Sequence, residues 1–275
     1  MVTLPSPHAE LLVRLERFYD AVPRPGARTE DLGPFTLFIS LGGWPFYTRP
    51  RLGFVGEIGQ ADVATMRARQ RELHVPETFE WVVETTPSLA PAIRSDGLSV
   101  EEVPLLILRA RQAAPVPAGY RLRRIAADEP DLEHVLAVAA VAFASGGTAA
   151  GDAGIDERDR HAAADSKDNT RLRHRLADRS TVMFVIEGDE GPIASGAHQA
   201  VDGVTEIVGV ATLPAARRRG LGAAVTSALI DDALGAGIET IFLSAASDDV
   251  ARVYERLGFE RIGHAGLAEP TTPPV

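Results

Sequence analysis

The sequence predicts a mixed α/β protein with two domains in tandem, and three observations carry that prediction. Helical and extended apolar periodicities alternate along the chain. Near the middle a seam, Ala113-Ala114-Pro115-Val116-Pro117-Ala118-Gly119, interrupts them, and its two prolines deny the backbone helix and ladder hydrogen bonds. Finally, 275 residues with 45% hydrophobic and 24% charged side chains are enough for two cores. The seam divides a first domain, 1–114, from a second, 118–270.

In the first domain, His8 to Asp20 places Leu11, Leu12, Leu15, Phe18 and Tyr19 at helical spacing. Phe35 to Ser40 reads as a buried strand, and Ala61 to Leu73 as a charged amphipathic helix. Thr78 to Val83 is a short strand. Pro87 to Asp96 is a helix stopped by Gly97, and Leu98 to Leu108 is extended and apolar. In the second domain Tyr120 to Ile125 is a strand. Leu132 to Phe143 is an alanine-rich helix with Asp128 as the expected N-cap. A polar stretch, Ala144 to Asn169, has glycines suited to a mobile segment or lid. Thr170 to Asp178 is a further helix. Three strands follow, Val182 to Glu187, Ile193 to Val201 and Val204 to Thr212. Gly188-Asp189-Glu190-Gly191 and Asp202-Gly203 are the turns between them, and Asp-Gly between extended runs is a hairpin signal. Pro214 to Gly235 is loop and then helix. Thr240 to Leu243 is a strand, Asp249 to Leu257 a helix and Phe259 to Ile262 a last strand. The proline-rich tail from Pro270 is expected to fray.

Composition excludes several functions. A formal charge of -10 disfavours nucleic acid, which wants a basic face. The chain has no cysteine, hence no disulfide, thiolate metal site or cysteine nucleophile. The start lacks the flanks of a signal peptide, and no apolar run reaches the roughly 18 residues of a membrane span. The expectation is a cytoplasmic protein with neither a membrane nor a nucleic-acid partner.

The richest segment is Val208 to Val225. A buried strand ends at Thr212, and a loop then carries Arg217, Arg218, Arg219, Gly220, Leu221 and Gly222 into a helix. Glycines let a ligand approach the backbone. The first-turn amides lack partners within the helix and form its positive end, which suits an anion such as a pyrophosphate. Asp231 and Asp232 fall near the other end, where acidic side chains oppose the dipole. A P-loop would need Gly-Lys-Ser/Thr, which is absent. A dinucleotide-binding turn would follow the first strand of its domain, whereas this one follows the fourth.

This run resembles the Gln/Arg-x-x-Gly-x-Gly/Ala signature of the GCN5-related N-acetyltransferases (GNAT), with Arg217, Gly220 and Gly222 in its fixed places. Ala251-Arg-Val-Tyr-Glu-Arg-Leu-Gly-Phe259 resembles the family's Tyr-x-x-x-Gly-Phe ending, and the order of elements from Tyr120 to Gly263 agrees. The resemblance covers roughly the second half. It implies an acyl-CoA N-acyltransferase fold, with a mixed, mostly antiparallel central sheet flanked by helices. It also implies acetyl-CoA as co-substrate, no metal, and direct attack of an amine on the thioester in a ternary complex. Val208, Val210 and Thr212 would pair with the pantetheine arm, and the amides of Arg217 to Gly222 would hold the pyrophosphate. Tyr254 would protonate the leaving thiolate, since a tyrosine with a pKa near 10 keeps its proton at neutral pH. Glu206 would be the general base, with a solvent-facing strand carboxylate or a cation ligand as the alternatives. Ser247 stands where relatives carry a cofactor-binding asparagine, with Ser244 nearby. Either serine, Asp248 or Asp249 would serve equally as a helix cap.

His198 on its strand is read as a half-buried histidine or a substrate contact. His161 and His174 are read as solvated, and no cluster has metal-ligand spacing. The first half lacks the Arg/Gly run and is read as a degenerate acetyltransferase-like unit. Its Trp44, Phe46 and Tyr47 either plug a loop or line a site between the halves. The expected acceptor is a small-molecule amine, with a protein amine as the alternative, and a homodimer is compatible. A sensor that binds acyl-CoA without turnover is the competing reading.

Overall fold

The computed structural model describes residues 7–42, 46–164 and 168–270. In chain order the elements are α1 (Pro7–Ala21), β1 (Ala27–Leu32), β2 (Phe35–Ser40), β3 (Arg49–Pro50), α2 (Gln60–Glu72), β4 (Phe79–Val82), α3 (Leu89–Ser95) and β5 (Ser99–Leu108). Then come β6 (Arg121–Arg124), α4 (Leu132–Ala144), α5 (Ile155–Ala164), α6 (Thr170–Ala177), β7 (Thr181–Gly188), β8 (Gly191–Val201) and β9 (Val204–Thr212). The chain ends in α7 (Leu221–Gly235), β10 (Thr240–Ser244), α8 (Asp248–Glu255) and β11 (Phe259–Glu269).

The chain forms two compact units. One takes the residues up to Leu105 together with those from Ile262, and the other runs from Leu106 to Arg261. The divisions therefore fall inside β5 and β11, whereas the sequence expectation drew a single seam at 113–119. Ala114 and Val116 of that seam pack onto the core of the second unit. β11 also runs seven residues past its expected end at Ile262.

In the first unit, β1, β2 and β3 form an antiparallel sheet, and β4 pairs antiparallel with Ala265 to Ala268 of β11. Phe35, Leu37, Met66, Phe79, Trp81, Leu89 and Ile93 build the core. Gly266 has to be glycine, since a Cβ there would lie 2.4 Å from the Trp81 ring. Of the aromatic trio, Trp44 lies outside the described residues. Phe46 is half-buried, and Tyr47 donates to Glu269 at 3.0 Å.

In the second unit β10, β9, β8, β7 and β6 lie side by side. Every registered pair is antiparallel except β9 with β10. The sheet is thus mixed and mostly antiparallel, as expected. Its main core joins Val225, Leu229 and Ile230 of α7 to Ile207 and Ala211 of β9. A second cluster sets Leu172 and Leu176 of α6 against Met183, Val185, Ala197 and Val208 of the sheet.

Two expectations need correction. Asp128 does not cap α4. It falls in a turn closed by Glu129 N–H to the Ala126 carbonyl, and the residue before the helix is Asp131, whose side chain makes no capping bond. The stretch from Ala144 to Asn169, expected as polar and mobile, contains α5. The Glu157 carboxylate accepts from Gly154 N–H at 2.9 Å. Arg158 is buried and donates to the Pro192 and Glu190 carbonyls at 2.7 and 3.0 Å.

The most demanding backbone position is Gly258. Its φ is +94°, and a Cβ there would lie 1.5 Å from the Ala110 carbonyl oxygen. Its own carbonyl accepts from Arg109 N–H and Ala110 N–H at 2.9 and 3.3 Å. Gly258→Ala should therefore cost about 3 kcal/mol, the sum of a left-handed penalty and overpacking. Gly235→Ala, with nothing within 4 Å, should cost nothing. Urea unfolding of the two variants is the check, and equal midpoints would contradict the steric account.

Candidate acyl-CoA site

The site is built on β9. On one side β9 pairs with β8, and the register shifts between Ser195–Ala211 and Ala197–Val208. Gly196 therefore faces both Gly209 and Val210, which is a bulge of one extra residue in β9. Gly209 takes up the left-handed turn this requires, with φ +63°. Gly196 also lets α7 sit directly on the sheet, since a Cβ would come within 2.9 Å of Val225 and 3.1 Å of Leu229. On its other side β9 pairs with β10 only at Val204–Thr240, Thr205–Ile241 and Glu206–Phe242. From Ile207 to Thr212 that edge has no registered partner among the described residues. Two parallel strands that part in this way leave backbone N–H and C=O groups available to an extended ligand.

The loop after β9 leads those groups to a helix end. Leu213 N–H is tied to the Ile193 carbonyl, and Pro214–Ala216 make one 3-10 turn. Arg218 and Gly220 then adopt left-handed φ values of +64° and +80°. Through this stretch and the first turn of α7, the N–H groups of Arg218 to Ala223 have no hydrogen-bond partner among the described residues. Successive unpaired amides at a helix N-terminus form an anion cradle. Arg218 and Arg219 are exposed and have no carboxylate partner among the described residues. Arg219 donates to Tyr120 Oη at 2.9 Å and to the Ala215 carbonyl at 3.1 Å. In a chain of charge -10, this is a local positive field of the sign a pyrophosphate needs.

The structure brings Val210, Thr212 and Gly222 together. A Cβ on Gly222 would lie 3.6 Å from Thr212 Oγ1 and 3.9 Å from Val210 Cγ1. Val208 points to the other face and packs with Leu172 and Leu176 of α6. Leu221 is a core side chain, so only its amide is available. The Arg217 side chain is committed elsewhere. It donates to the carbonyls of Ala142, Gly146, Ala149 and Thr212 at 2.7, 2.8, 3.0 and 3.3 Å. Partial burial lowers its pKa, but a guanidinium keeps its charge. Gly151 N–H to the Pro214 carbonyl and Ala215 N–H to the Ala153 carbonyl bind the same two segments together. The stretch after α4 is therefore fastened to the loop rather than loose.

Ser247 caps α8, its hydroxyl accepting from Val250 N–H at 3.4 Å. Asp248 and Asp249 pair with Arg261 and Arg252, and Ser244 ends β10, half-buried. Tyr254, the last residue but one of α8, is buried with its ring edge-on to Phe259 at 6.0 Å. Its hydroxyl has no hydrogen-bond partner among the described residues. Burial pushes its pKa up to about 12. Glu206 is half-buried and forms the last registered pair before β9 parts from β10.

His198 is a satisfied buried histidine rather than a substrate contact. Nε2 meets Asp232 at 3.2 Å and Nδ1 meets Thr205 Oγ1 at 3.0 Å, and burial lowers its pKa. Arg179 and Arg124 also approach Asp232, at 3.3 and 3.8 Å, which offsets its place near the negative end of α7. Among the described residues no group of His, Asp and Glu stands ready to hold a metal ion, and no helix is long and apolar enough to cross a membrane. The sequence reading missed Gly196, Gly209 and the Arg217 contacts. Both glycines left a signal, each as a glycine inside a strand pattern.

If Arg217 fastens the stretch after α4, then Arg217→Ala should speed amide exchange across residues 146–154 about tenfold, the equivalent of one charge-assisted hydrogen bond. Exchange in α7 beyond its first turn should not change. Mass-spectrometric hydrogen exchange reads both, and unchanged exchange at 146–154 would refute the fastening.

Residues 153–259 match the family model described as the acetyltransferase (GNAT) family. Among solved structures, the chain is similar to a GCN5-related N-acetyltransferase from Kribbella flavida. The identity is 24% over 95% of this chain and 96% of that one, with a TM-score of 0.71. It is also similar to a GCN5-related N-acetyltransferase-like protein from Streptococcus suis 89/1591, at 13% identity over 95% and 99% of the two chains and a TM-score of 0.56. A tandem GNAT protein from the clavulanic acid biosynthesis pathway gives 15% identity over 96% and 97%, with a TM-score of 0.53. At these identities the likeness shows a shared fold, and it runs through the first half as well as the second. Among curated proteins, none matches the sequence.

Proposed function

On the premise that residues 153–259 form a domain of the GNAT acetyltransferase family, we propose that the protein transfers an acetyl group from acetyl-CoA to the amine of a small molecule. The observation that carries this is the unpartnered run of amides from Arg218 to Ala223, lying where β9 has left β10. The residues fit the donor. The amides and the side chains of Arg218 and Arg219 would hold its pyrophosphate. The free edge from Ile207 to Thr212 would hold its pantetheine arm, and Gly222 keeps the approach clear. Ser247 has a hydroxyl hydrogen left to donate.

The donor supplies an activated acyl carbon as a thioester. The amine nitrogen bonds to that carbon directly, in a ternary complex, and the carbon–sulfur bond breaks. Glu206 takes the proton the amine loses, and Tyr254 supplies the proton the thiolate needs. Two features support Tyr254: its hydroxyl has no hydrogen-bond partner among the described residues, and burial holds its proton in place. The position of Glu206 at the fork of β9 and β10 supports the base. Glu206 also has a further interaction within the protein. Cytoplasmic location follows as part of the same reading.

Calorimetric titration with acetyl-CoA tests the site. The parent should bind, and Gly222→Trp, which fills the approach beside Val210 and Thr212, should not. Absence of binding by the parent would end both the enzyme and the sensor readings. Binding without thiol release on any amine would leave the sensor.

The pH profile tests Tyr254. Its folded pKa lies above the ordinary value of 10, so the proton is retained, and the activity it supports persists, until pH nears 12. The rate of thiol release should therefore show no fall due to Tyr254 at pH 10, where an ordinary tyrosine is half ionised. Tyr254→Phe should lower kcat about 100-fold at all pH values, a typical loss for a general acid. A parent profile that falls with a midpoint near pH 10 and is flat in the variant would contradict the buried-acid account.

A further inference from the structure

We propose that the acceptor amine also carries a carboxylate, and that Arg175 of α6 binds it. The inference rests on the acetyl-transfer reading and names the substrate class for the same site. It starts from the register of β8 and β9, in which Gln199 stands directly opposite Glu206. Directly opposed residues of an antiparallel pair point to the same face. Arg175 identifies that face as the one under α6, since its Nη2 donates to Gln199 Oε1 at 3.0 Å. Val208, two residues on from Glu206 and so on the same face, belongs to one hydrophobic cluster with Leu172 and Leu176 of α6.

Arg175, like Arg217, has no carboxylate partner among the described residues, but Arg217 spends its donors on four carbonyls. Arg121 and Arg123 hold Glu187, Arg111 holds Asp231, and Arg179 and Arg124 approach Asp232. Arg175 is half-buried and bonds only to neutral groups, Gln199 and, through Nε at 2.8 Å, Thr181 Oγ1. No carboxylate lies within ion-pair distance of it among the described residues. Nη1 makes no hydrogen bond among the described residues. Burial lowers its pKa, as does the neighbouring Arg171, and Asp178 offsets part of that from a distance. The carboxylate of Asp178 is itself turned to Ser180 N–H at 2.9 Å. A guanidinium taken partly out of water without a counter-charge is costly. Its planar fork, with one nitrogen open, suits a carboxylate. Gln199 and Thr181 hold it rigidly beside the carboxylate proposed to take the amine's proton. An amino acid presents the two groups this pair would recognise, an ammonium towards Glu206 and a carboxylate towards Arg175.

The test uses a series of α-, β- and γ-amino acids, each beside its own primary amide. The full chain is titrated with each compound by calorimetry, with and without CoA, and thiol release is followed with acetyl-CoA. At least one acid should bind tenfold or more tightly than its amide, a preference read in the parent without any variant. Arg175→Gln should remove that preference by raising KM at least tenfold, with kcat changed less than threefold, and should leave the amides unaffected. Arg175→Lys should recover part of it. Amides that bind as tightly as their acids, an Arg175→Gln loss shared equally by both, or no acid bound by a chain that does bind CoA would each overturn the proposal. Binding of acids is read without the acyl donor, so a failure of acetyl-CoA binding, which sinks the transferase reading, is seen separately.

Discussion

The site depends on β9 parting from β10 immediately after Glu206. A strand inside a sheet has its backbone groups paired on both edges, and nothing remains for a ligand. Here one edge is paired with β8 along its length, and the other is released for six residues. Release alone would leave a loose strand. The bulge at Gly209 gives β9 the bend, and Gly196 on the neighbouring strand lets α7 settle against the sheet. The head of α7 thereby comes beside Val210 and Thr212. Two glycines thus place two sets of unpaired backbone groups, strand edge and helix end, in one continuous path.

The arginines of the loop divide the work by burial. Arg217 is turned inward and spends its donors on four backbone carbonyls, three of them at or after the end of α4. These include carbonyls a helix C-terminus leaves without partners, so the charge also lies at the favourable end of that dipole. Arg218 and Arg219 remain exposed and supply the field. The motif arginine is on this account a fastener, and its two neighbours are the electrostatic part.

Much of this was legible in the sequence. The boundaries of β2 and β9 were read to the residue, because apolar runs bounded by turn signals are short and unambiguous. The glycines and arginines of the loop announced a helix N-terminus for an anion. What failed to show depends on partners distant in the chain. The expectation for Asp128 weighed capping chemistry without the Arg123–Glu129 pair that shapes the turn. α5 was lost in a polar stretch because its one long buried anchor is Arg158, a residue that sequence patterns score as surface. The isolated role given to His198 missed Asp232, 34 residues away and on another element. Divisions inside β5 and β11 were invisible because a strand carries no compositional mark where it passes from one set of neighbours to another.

The Gly258 contact sets a limit on how this protein can be cut. Arg109 and Ala110 meet the Gly258 carbonyl, and Gln112 N–H meets that of Leu257, so the turn that follows Tyr254 is braced by residues about 150 positions earlier. A fragment begun at the proline seam would keep every residue assigned to cofactor and catalysis and still lack that brace. Its tyrosine helix would end on an unsupported turn. The pairing joins residues far apart in the sequence, a kind of contact that slows folding, and the turn after Tyr254 depends on it.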